Sequence, residues 1–127
     1  MLRYRLPDAA QADVIDILAW TQEQFGEAAR LRHESLIVAA LRDVATQPDR
    51  AGSIERPELG AGVRSWHLRL SRDHAATGAG VVRRPRHVLI YRFDPALLVV
   101  GWATSGGGGG KIGNLFDRVI DAVTGKF

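Results

Sequence analysis

Apolar and polar positions recur along this chain with two different periods. Leu2-Arg3-Tyr4-Arg5-Leu6 sets apolar residues at every second position, the period of a half-buried strand. Pro7 ends it. Asp8 suits an N-cap, and Gln11 three residues later completes a capping-box pattern. Ala10, Val14, Ile17, Leu18, Thr21 and Phe25 then recur at helical spacing and predict a helix over about residues 9 to 24. Gly26 breaks it. A second helix is expected from about Glu27 to Gln47, where Pro48 stops it. Leu31, Val38, Leu41 and Val44 supply its apolar side, with Ile37 and Ala40 beside them. Arg30, Arg32, Glu34, Arg42 and Asp43 supply much of its polar side. The link between the helices is very short, so the pair is expected to pack as an antiparallel hairpin.

Residues 48 to 62 carry Pro48, Gly52, Pro57, Gly60 and Gly62 and read as a loop. Val63 to Leu70 then reads as a strand. Ser71 to Pro85 holds Gly78, Gly80 and Pro85 and reads as a long hairpin loop. His87 to Phe93 is the strongest strand signal in the chain, Asp94-Pro95 marks a turn, and Leu97 to Trp102 is the next strand. Strands that follow one another through hairpins pair antiparallel. The expectation is an α+β fold: an N-terminal strand, an antiparallel helical hairpin on one face, then a three-stranded antiparallel sheet.

The end of the chain has a different pattern. Five consecutive glycines, Gly106 to Gly110, follow Ser105. Beyond them Ile112, Leu115, Phe116, Val119, Ile120 and Val123 form a helical stripe. The chain thus divides into a domain over 1–104, a Gly-rich linker over 105–110 and an amphipathic helical tail over 111–127. So short a helix is marginal alone in water and is expected to dock, on its own domain or in a partner's groove. A membrane surface fits less well, because the polar face carries both charge signs.

A length of 127 residues suits one domain with a real core. There is no cysteine, which excludes disulfides, thiolate metal sites and cysteine nucleophiles. Neither a signal-peptide pattern nor an apolar run of membrane-spanning length is present, so a cytoplasmic protein is expected. The net charge of +3 decides little, but its distribution decides more. Between Val63 and Arg92 lie Arg64, Arg69, Arg72, Arg83, Arg84, Arg86 and Arg92, opposed by Asp73 alone. Such a segment is either a solvated sheet face or a surface for phosphates or an acidic protein. Arginine throughout favours binding, since its fork matches carboxylate and phosphate oxygens.

Candidate chemistry is sparse. His33, His67, His74 and His87 show no metal-ligand spacing, and no metal or cofactor is expected. His33 reads as a surface residue. His67 and His87 lie in predicted strands, either as packed histidines or as acid–base groups beside Arg64, Arg86 or Arg92 for ribonucleolytic cleavage. Trp20, Trp66 and Trp102 read as core residues. Trp66, between Ser65 and His67, is also a candidate partner contact.

Several of these segments together resemble one family. They are Tyr4-Arg5-Leu6, Ala9 to Asp13 with Ile15-Asp16-Ile17, Gln24 to Arg30, Arg56 to Gly60, Gly62 to Leu68, and Arg84 to Arg92. In this order, over about residues 3 to 101, they are similar to bacterial ParE-type plasmid-stabilisation toxins of the RelE/ParE superfamily. The resemblance implies a strand, a helical hairpin and a three-stranded antiparallel sheet. It implies the toxin of a type II toxin–antitoxin pair, wrapped and neutralised by a ParD-like antitoxin, with DNA gyrase as target and protein binding rather than catalysis as its action. Arg64, Trp66, Arg69, Arg86, Tyr91 and Arg92 are then the candidate binding residues. A RelE-like endoribonuclease acting on ribosome-bound messenger RNA is the alternative, with His67 or His87 as its acid–base group. A homologue that only binds antitoxin is a third. The sequence departs from the family after Gly101, where Trp102-Ala103-Thr104-Ser105 and the glycines replace the usual end. The family's C-terminal residues therefore have no counterparts here, and part of the last strand is expected to be lost.

Overall fold

A computed structural model describes residues 3–75, 80–93 and 97–104. The glycine run and the helical stripe read at 105–127 lie outside the described residues. The chain folds as β1 (Tyr4–Arg5), α1 (Asp8–Phe25), α2 (Glu27–Thr46), β2 (Ile54–Glu55), β3 (Arg64–His67), a 3-10 helix (Leu68–His74), β4 (His87–Phe93) and β5 (Leu97–Thr104). This is the expected α+β order. The sheet runs β1-β5-β4-β3-β2, parallel only between β1 and β5. A bulge at Ile90/Tyr91 interrupts the β4–β5 register.

Both helices lie within a residue or two of their predicted bounds. The cap differs. Pro7 occupies the N-cap position, Asp8 is the first helical residue, and no side chain caps the end. Gln11 instead donates its amide to Leu6 O at 2.8 Å. Gly26 alone links α1 to α2, at φ +92°, a conformation that a Cβ penalises.

The helices cover one face of the sheet. Alternation along β3 and β4 sends Trp66, Leu89 and Tyr91 into the main core beside Trp102, against Leu36, Ala40, Leu41 and Val44 of α2. Thr21 is buried among them because its hydroxyl returns to Ile17 O at 2.7 Å. The opposite face carries a smaller cluster, Leu59, Val63 and Ile90, backed by Val88 and Ala103.

Four expectations are corrected. The strand read over Val63 to Leu70 ends at His67, and the chain turns into the 3-10 helix. Its alternation is local, whereas Trp66, Ser71 and Asp43 bond to one another and pull the chain off the sheet. A fourth antiparallel strand, β2, arises inside the predicted loop, pairing Ile54 with Ser65. Phe25, Leu31, Val38 and Trp20, read as apolar sides or core, are exposed. Finally, the last strand is not cut short after Gly101. It runs to Thr104, with Trp102 opposite Leu89.

Candidate functional site

The predicted binding residues separate into three environments. Arg64 and Tyr91 form one relay with Ser53. Arg64 Nε donates to Ser53 Oγ at 2.7 Å, and Ser53 Oγ lies 2.6 Å from Tyr91 Oη. Tyr91 has a single hydroxyl proton and donates it to Pro48 O. Ser53 therefore donates to Tyr91, and each of the two hydroxyls accepts one bond and donates one. Burial pushes the Tyr91 phenol up from its ordinary range, against the bonds of Ser53 and the charge of Arg64. Arg64 also reaches Glu55 Oε1 at 3.4 Å and leaves only 17% of its side chain exposed. This arginine holds the 48–55 loop on the sheet.

Trp66 belongs to a second network and is 3% exposed, so it packs inside rather than facing a partner. Its indole Nε1 donates to Ser71 Oγ at 2.9 Å. Ser71 Oγ donates onward to Asp43 Oδ2 at 2.6 Å. His74 Nδ1 lies 3.0 Å from the same oxygen. Arg50 donates to Asp43 O at 2.9 Å, and its guanidinium carbon stands 5.6 Å from the Trp66 ring centroid. Serine, histidine and aspartate meet here without forming a nucleophilic triad. Ser71 is fully buried and bonds the carboxylate, not the imidazole. The network clamps the 3-10 helix onto α2.

The third group is exposed. Arg69 and Arg86 flank the β3–β4 connection, and half-buried Arg92 lies with Val88 and Ile90 on the face away from the helices. Thus the seven arginines do not share one sheet face.

His67 and His87 also point apart, since alternation puts His67 with Val88 and His87 with Leu89. His67 Nδ1 accepts from Arg69 N at 3.1 Å. Burial, then the charge of Arg69, lowers its pKa. His87 packs edge-on against His33, ring centroids 6.4 Å apart. His33 is therefore half-buried rather than a surface residue. Burial holds His87 at about 4, with further lowering from the charges that His33 and His67 would carry. His33 is lowered too, chiefly by burial. Among the described residues no group of three His, Asp or Glu side chains is placed to hold a metal ion.

The lowered His87 fixes a pH dependence. The unfolded chain takes up this proton near pH 6.5, the folded one only near 4. Stability is complete above about pH 6.5 and declines as pH falls through 6.5 toward 4, by on the order of 2–3 kcal/mol. Thermal melts at pH 7.5 and 5.0 should differ more for the wild type than for His87→Gln. Equal losses in the two proteins would rule His87 out as the cause.

The sequence reading missed the apolar outer surface of the helical hairpin. Ile15, Trp20 and Phe25 are 65%, 51% and 67% exposed. Trp20 and Phe25 touch edge to face at 5.7 Å between centroids. A signal was present: Trp20 lies about 100° around α1 from Thr21, off the centre of the buried stripe.

A strand, then a helical hairpin across one face of an antiparallel sheet, is the α+β arrangement implied by the resemblance to toxins of type II toxin–antitoxin pairs. The model of the ParE toxin of type II toxin-antitoxin system, parDE, matches residues 4–103. The chain belongs to this ParE toxin family. No curated protein matches it. Among the described residues no helix is long and apolar enough to cross a membrane.

Proposed function

We propose that this toxin acts by binding other proteins, with a ParD-like antitoxin as its neutralising partner and DNA gyrase as its target. The observation that carries this reading is the exposed aromatic pair Trp20 and Phe25 on α1, in edge-to-face contact. Exposed apolar clusters of this kind mark interaction surfaces, and tryptophan is enriched among their energetic anchors. An amphipathic antitoxin segment has here what it needs to bury its own apolar side.

The endoribonuclease reading has less support. Cleavage needs a base at the attacking 2′-hydroxyl and a cation at the phosphate. His87 is half-buried against His33, His67 has one ring nitrogen occupied, and Arg64 is engaged with Ser53 and Glu55.

Purified protein is expected to block supercoiling by gyrase and to leave ribosome-bound message intact. Message cleavage that disappears in His67→Ala or His87→Ala would establish the nuclease instead. Trp20→Ala and Phe25→Ala should each weaken binding of a ParD-like antitoxin by about 30-fold, the loss of an anchor worth roughly 2 kcal/mol. Both positions are exposed, so the fold should survive. Unchanged affinity in both variants would move the antitoxin site elsewhere.

A further inference from the structure

The β3–β4 connection leaves and re-enters the sheet at one end, where His67 pairs with Val88. It carries Arg69, Arg72, Arg83, Arg84 and Arg86, all exposed, against Asp73 as its single carboxylate. Its two limbs are tied, since Arg72 Nη1 donates to Arg83 O at 2.9 Å. Arg69 and the 3-10 helix are fixed below by the His67 cap and the Ser71–Asp43 bond. The adjoining carboxylate, Asp43, is already occupied by Ser71, Arg50 and His74. Among the described ion pairs, none joins a carboxylate to Arg69, Arg72, Arg83 or Arg84. The structure thus gathers positive charge on an anchored connection and spends none of these four guanidinium groups on a carboxylate.

We propose that this connection binds the phosphodiester backbone of nucleic acid, without reading sequence and without cleaving it. Arginine presents paired donors that match phosphate oxygens. Counterion release supplies the affinity and needs charge spacing rather than a shaped pocket. A protein partner needs more, namely a desolvated apolar or aromatic anchor. The connection's described residues include no Phe, Tyr or Trp and expose the aliphatic Leu70 and Val81, whereas the exposed, touching aromatics Trp20 and Phe25 lie on α1. The charge therefore points to a polyphosphate, and the apolar hairpin surface to protein. The proposal is independent of which protein the toxin inhibits.

Fluorescence anisotropy with labelled duplex DNA and single-stranded RNA of mixed sequence, over roughly 50–200 mM KCl, tests it. With four or five phosphates neutralised, log K should fall against log salt with a slope of about −4 on duplex. Arg83→Gln with Arg84→Gln should shrink that slope by about 2 and weaken binding at low salt more than tenfold. Arg42→Gln, an exposed arginine on α2, should leave it unchanged. Circular dichroism confirms that each variant is folded, and Arg69→Gln serves if the double variant is not. Binding to either nucleic acid supports the site, and the ratio between the two arms names its source. No binding, a slope near zero, or a double variant equal to wild type would overturn it. So would a poly-glutamate peptide of equal charge that binds as tightly, since the site would then be one for acidic protein.

Discussion

Replacing Trp102 by alanine is expected to cost about 3–5 kcal/mol of folding stability, the range for emptying a large aromatic site in a core. Trp102 is 0% exposed and stands opposite Leu89 in the main core, on the strand that packs against α1. At this chain length each kcal/mol moves the melting temperature by roughly 3–4 °C, so the midpoint should fall by about 10–20 °C. Trp102→Phe should cost less than half as much. The phenylalanine keeps most of the ring, and it removes an indole N–H that is buried without a partner among the described residues. Urea unfolding with unchanged m-value would measure both. An alanine variant as stable as the phenylalanine one would mean that the sheet closes over the site, and that Trp102 is not a keystone of the core. The family match runs through Ala103, and the burial of Trp102 shows this end of β5 to be an integral part of the domain.

Asp43→Ala is expected to cost about 3 kcal/mol, because it strands polar groups rather than merely deleting a carboxylate. The side chain is 14% exposed. Its loss leaves the Ser71 hydroxyl, itself fully buried, with no acceptor, and frees the 3-10 helix from α2. Asp43→Asn retains one acceptor oxygen and should lose about half as much. Ser71→Ala breaks the same chain one link further on, so the losses from Asp43→Ala and Ser71→Ala should not add. A double-mutant cycle is expected to show coupling of at least about 1 kcal/mol. Strict additivity would mean that the two side chains act separately. Because the 3-10 helix also anchors Arg69 and Arg72, Asp43→Ala should loosen the cationic connection, while Trp20 and Phe25 on α1 stay in place.

The helices could be read from sequence almost to the residue because their periodicity reflects a single choice, core or solvent, repeated over five turns. The width of the covered face could not. Phe25 and Leu31 satisfy the spacing of a buried stripe, yet they lie near the Gly26 turn of the hairpin and are exposed. The strand read through Leu70 failed for a related reason. Leu68-Arg69-Leu70 alternates as a strand does, but Ser71 lies within reach of both Trp66 and Asp43, and those bonds decide the path.

The sequence by itself determined the order of elements, the breaks at Pro7, Gly26 and Pro48, the family, and the concentration of arginine between Val63 and Arg92. These are local or compositional properties, carried by nearest neighbours and by chain order. Only the tertiary structure decided what each arginine does. Arg64, Arg69 and Arg92 are chemically identical, but the first meets Ser53 and Glu55, the second stands in solvent on a clamped connection, and the third lies on the far face. A guanidinium acts through whatever lies within a few ångströms of it, and those neighbours come from distant parts of the chain.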